Sequence, residues 1–102
     1  MKGDLTVLRI LKKDVDNAGD FQEPMTCLIA TACKRQFKAE YALELYDTVD
    51  VEISEDNVLH FRHSMFFERE ESIIRQFAET KTDPEFLVGT IELFSNYKIN
   101  QY

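Results

Sequence analysis

Between Lys38 and Arg62 the chain has no lysine or arginine, while Glu40, Glu44, Asp47, Asp50, Glu52, Glu55 and Asp56 all fall in that interval. Carboxylates without a counter-charge, on a stretch patterned like a folded segment, must face solvent, a metal or a basic partner. Long apolar runs are missing too. None approaches the ~18 residues that a membrane-spanning helix needs, and Met1-Lys2-Gly3-Asp4 puts an acid where a secretory signal would continue into an apolar core. A cytoplasmic protein is expected. Glycine and proline number only three and two, which excludes a phosphate-cradling loop and a disordered low-complexity chain. The two cysteines, Cys27 and Cys33, are six positions apart in a helical pattern, ~9 Å along a helix axis and beyond disulfide reach. They read as reduced, buried, small apolar residues.

What is present is globular composition: 102 residues, 44% hydrophobic and 30% charged, which predicts one domain over residues 1–102. A formal charge of −7 repels phosphate backbones and anionic membranes, so direct nucleic-acid binding is not expected. Lys34, Arg35 and Lys38 form the densest basic cluster, at the end of a predicted helix, where they complement its dipole.

Leu5–Leu11 is aliphatic and β-branched and predicts a strand; residues 12–20 read as a polar connection. From Pro24 to Tyr41 the apolar positions Met25, Ile29, Cys33, Phe37 and Tyr41 recur every fourth residue, predicting a helix. Val49, Val51 and Ile53 then alternate with Asp50, Glu52 and Ser54, and Leu59, Phe61 and His63 alternate with His60 and Arg62. These two segments predict a hairpin about Glu55-Asp56-Asn57. An exposed Glu52–Arg62 pair across it would contribute at most ~1 kcal/mol. Residues 68–79 predict a second helix with Ile73, Ile74 and Phe77 inward. Val88–Phe94 reads as a closing strand, a helix capped at Thr82-Asp83-Pro84-Glu85 being the alternative. The expected fold is α+β in the order β-α-β-β-α-β, with two helices on one small, mainly antiparallel sheet, compatible with a split β-α-β layout.

Lys12-Lys13-Asp14 after a strand, followed by Cys27-Leu28-Ile29-Ala30-Thr31-Ala32-Cys33-Lys34-Arg35 on a helix, resembles small uncharacterised proteins encoded by bacteriophages and prophages. The chain departs from their commoner pattern in lacking a proline after Cys27. The resemblance implies an accessory factor that binds host machinery, and it carries no catalytic motif.

No metal or other cofactor is expected. His60 and His63 point to opposite faces of a strand, and the cysteines do not share a helix face. Ser64 beside His63 is adjacency without a nucleophile elbow, so no catalysis is expected either. Aromatic residues crowd the second half, and Phe66, Phe67, Phe86 and Tyr97 are candidates for an exposed homodimer interface. The leading expectation is a non-enzymatic protein-binding module. Its acidic run, Glu40, Glu44, Asp47, Asp50, Glu52, Glu55 and Asp56, would meet a basic groove on a nucleic-acid-handling or defence protein, as a row of phosphates does. The alternative is a homo-oligomeric assembly protein whose acids only keep it soluble.

Overall fold

The computed structural model describes residues 5–19, 23–45, 47–63, 67–80 and 83–95, and for residues 67 and 68 the backbone alone. In chain order the elements are strand β1 (Leu5–Leu11), helices α1 (Lys12–Asn17) and α2 (Leu28–Phe37), strands β2 (Tyr41–Glu44), β3 (Thr48–Ser54) and β4 (Asn57–Arg62), helix α3 (Phe67–Ala78) and strand β5 (Leu87–Phe94). The strands form one antiparallel sheet in the order β1-β5-β4-β3-β2. The α+β class is therefore the expected one. Residues 87–94 resolve as a strand, paired along its length with β1 (Leu5↔Phe94, Leu8↔Ile91).

Three features differ from the sequence-based expectation. The β-α-β-β-α-β order is broadly kept but gains a strand, β2, and β4 and β5, the strands that flank α3, lie side by side instead of being separated by a third strand as in a split β-α-β unit. The helix predicted to run to Tyr41 ends at Phe37, because Lys38 turns left-handed (φ 54°) and the Ala39 N–H closes back onto the Lys34 carbonyl at 3.0 Å. Tyr41 is thereby released into β2. The polar connection after β1 contains α1, held from outside: the Lys12 and Lys13 N–H groups donate to the carbonyls of Phe86 (2.9 Å) and Pro84 (3.0 Å). The Asp14 carboxylate accepts from the Leu11 N–H at 2.8 Å and from Arg35 Nε of α2 at 2.7 Å.

One face of the sheet is covered. Leu8, Ile10, Val49, Val51, Phe61, Ile91 and Leu93 point to that side and pack with Leu28, Ile29, Ala30, Ala32 and Cys33 of α2 into the core. Phe61 of β4 stacks on Phe37 of α2, with ring centroids 5.4 Å apart. The two halves of the sheet meet narrowly: among the described residues β4 and β5 are registered only at Arg62↔Phe94.

The β1 edge is closed by side chains. Gln36 accepts from the Arg9 N–H at 2.8 Å and donates to the Val7 carbonyl at 3.0 Å, as a neighbouring strand would, and Arg35 donates to the Arg9 carbonyl. Gln36→Ala is expected to cost about 1–2 kcal/mol in urea unfolding, from two lost bonds, and to raise self-association at high concentration. Unchanged unfolding and unchanged light scattering would remove this role.

Candidate functional site

Strand alternation sorts the acidic run by face. On β3 the inward residues are Val49 and Val51, so Asp50 and Glu52 point away from the helices. Register brings Tyr41 beside Glu52 and Leu43 beside Asp50 from β2, and His60 beside Asp50 and Val58 beside Glu52 from β4. The partner of Asp50 is thus His60, whose Nδ1 lies 2.7 Å from Asp50 Oδ1, and Arg62 stands opposite Thr48 rather than Glu52. Tyr41 (52% exposed), Leu43 and Val58 are uncovered apolar side chains on this outer face. Glu40, Asp47, Glu55 and Asp56 are exposed around it. The carboxylates of Asp50 and Glu52 thus form the central row of this face, flanked by Tyr41 and Leu43 on β2 and by Val58 and His60 on β4. Further along the same face, Leu5, Val7 and Phe94 are also exposed.

Glu44 does not belong to that surface. It is 4% exposed and points inward from β2, since Tyr41 and Leu43 take the outer positions and Ala42 and Glu44 the inner ones. Strand alternation here runs opposite to the usual sense, with apolar residues out and an acid in. Inside, Glu44 Oε1 accepts from the Cys27 thiol at 3.2 Å, and its Oε2 lies 3.1 Å from His63 Nε2. Glu70 of α3 joins them, accepting from the Ile29 N–H at 3.3 Å. The Cys27 sulfur and carboxylate oxygens of Glu44 and Glu70 all lie within 4.8 Å of one another.

This polar cluster sits at the N-terminal end of α2, where Cys27 is the cap residue. Burial, followed by the charge of Glu44, pushes the Glu70 carboxyl up to about 6. Burial drives the Cys27 thiol far upward as well, with the nearby Glu70 and Glu44 adding to it. Cys33, on the same helix, is pushed up to about 12 by burial and stays apart from the cluster. Both cysteines are free and buried, as their spacing indicates.

Of the aromatic candidates for an interface, Phe86 is 48% exposed, next to the first turn of α1. Phe66 and Tyr97 lie outside the described residues, as does the side chain of Phe67, which opens α3. Exposed Tyr41 and Phe94 were not among the candidates; Tyr41 read as the end of a helical stripe and Phe94 as part of a closing core strand. Glu70 was also missed, although it shares the spacing of Ile73, Ile74 and Phe77 and is therefore an acid on an apolar stripe. Among the described residues no helix is long and apolar enough to cross a membrane. Comparison with family models, with curated proteins and with solved structures finds no match to this chain.

Proposed function

We propose that this chain is a non-enzymatic protein-binding module, working in the cytoplasm, that docks a basic protein surface on the outer face of β2–β4. The observation that supports it is the pairing of uncovered Tyr41, Leu43 and Val58 with Asp50 and Glu52, in a stretch without lysine or arginine from residue 39 to 61. The flanking apolar side chains supply contact area, and the central carboxylate row supplies register and long-range attraction. The partner class that fits is a nucleic-acid-handling protein, whose basic groove already accommodates a row of negative charges. A phage accessory protein acting on a host factor is the setting implied by the resemblance around Cys27–Arg35.

The double substitution Asp50→Lys, Glu52→Lys tests the reading. It removes one exposed pair with His60, at most about 1 kcal/mol of stability, so the fold should persist by circular dichroism. Tagged wild-type protein should retain a basic, nucleic-acid-handling protein from bacterial lysate and release it at moderate salt. The double variant should retain at least tenfold less. Equal retention by both proteins would remove the acidic face from recognition. Recovery of the bait alone, together with a stable oligomer in solution, would favour the assembly reading, in which Leu5, Val7 and Phe94 lie against a second copy.

A further inference from the structure

We infer that Cys27, Glu44 and Glu70 form a buried site for a divalent transition-metal ion, zinc by its donor set, with His63 fixing the second oxygen of Glu44. These residues come from four separate parts of the fold: the start of α2, β2, the end of β4 and α3. Their exposures are 0% for Cys27, 4% for Glu44, 3% for His63 and 1% for Glu70. A thiolate and two carboxylates are zinc ligands, and tetrahedral coordination at about 2.0–2.3 Å sets neighbouring ligand atoms about 3.3–3.7 Å apart. Cys27 Sγ and Glu44 Oε1 are already 3.2 Å apart, and the three donors lie within 4.8 Å of one another, so small rotations about the carboxylates suffice.

A second observation points to a cation independently of that spacing. Buried carboxylates are ordinarily paired with lysine or arginine. Here Glu70 accepts from the Ile29 N–H at 3.3 Å and lies beside another carboxylate, Glu44, and among the described residues neither acid forms an ion pair with a lysine or arginine, the group beside Glu44 being the His63 imidazole at 3.1 Å. Asp14, buried to a similar degree, has Arg35. A zinc ion supplies to Glu44 and Glu70 what Arg35 supplies to Asp14. Binding forms a sulfur–zinc bond and releases the Cys27 thiol proton to solvent, together with any proton held by Glu70. The remaining charge, −1 from three anionic ligands and Zn²⁺, faces the positive end of α2. The second oxygen of Glu44 lies 3.1 Å from His63 Nε2, the position of an outer contact that orients a metal-bound carboxylate.

The experiment uses the full chain stripped with a chelator and then titrated with zinc chloride. One equivalent should bind with proton release, and a hundredfold excess over Kd should raise Tm by about 10 °C or more. Cobalt(II) in place of zinc should give a thiolate-to-metal absorption that vanishes in Cys27→Ser and survives in Cys33→Ser. Because Cys27→Ser can disturb the start of α2, Glu70→Gln provides the second arm. It relieves the repulsion with Glu44, so in chelator it should melt above the wild type; with zinc the order should reverse, and its zinc affinity should fall at least tenfold. Absence of a zinc-induced Tm rise, or a cobalt–thiolate band independent of Cys27, would overturn the site. Neither result depends on partner docking at the outer face.

Discussion

Asp14→Ala is expected to lower the unfolding free energy by about 3 kcal/mol, because it breaks a buried ion pair from the inside. Asp14 is 1% exposed, and its two oxygens serve different elements: one accepts from the Leu11 N–H and the other from Arg35 Nε. Removing the carboxylate leaves a buried backbone donor without its acceptor and a guanidinium without its counter-charge, each of which costs about 1–3 kcal/mol. Arg35 is partly exposed and regains water, which places the sum at the lower end of the range for broken buried pairs. Asp14→Asn keeps an acceptor for Leu11 and should cost about half as much. Urea unfolding of the three proteins measures this directly, and a loss below about 1 kcal/mol for the alanine variant would mean that α1 is held mainly by its contacts with residues 84–86.

Phe61→Ala should be comparably damaging, about 3–5 kcal/mol, because a 4%-exposed ring at the centre of the covered face is lost and the cavity borders α2. The consequence should also be local. Since β4 and β5 are registered at one position among the described residues, β2–β4 is held to the rest chiefly by side chains packed under α2. Amide exchange in β3 and β4 should therefore accelerate more than in β1 and β5. In a double-mutant cycle with Phe37→Ala, the stacked pair should show coupling of about 0.5–1.5 kcal/mol. Uniform acceleration across all five strands would indicate that the single rung is enough to make the sheet one cooperative unit.

Where one apolar face met one polar face, the sequence was readable. The Val49-Val51 and Phe61 alternation specified the β3–β4 hairpin, and the closing strand's inward Ile91 and Leu93 are buried as that pattern implies. The misreadings occurred where the usual sense of the pattern is reversed. Tyr41 and Leu43 point outward and Glu44 inward, an inverted strand whose pattern alone reads as the tail of a helix and an acidic surface position. α1 is six residues long and is stabilised by groups far away in sequence, Arg35, Pro84 and Phe86, which no local pattern announces. The separation of His60 from His63 was legible from parity alone. The meeting of Cys27, Glu44 and Glu70 was not, because it depends on strand order.

The β1–β5 ladder has a bearing on how the protein is made. β1 is the first of the five strands to leave the ribosome, and among the described residues its ladder partner is β5, the last of them to be synthesised. Until then Leu8 and Ile10 can shelter only under α2, and the backbone of β1 has Gln36 and Arg35 as its resident partners. Those two side chains, set on the helix that is translated soon after β1, close the edge that β5 never reaches, so during synthesis the edge left open to other chains is the opposite one, which only β5 covers.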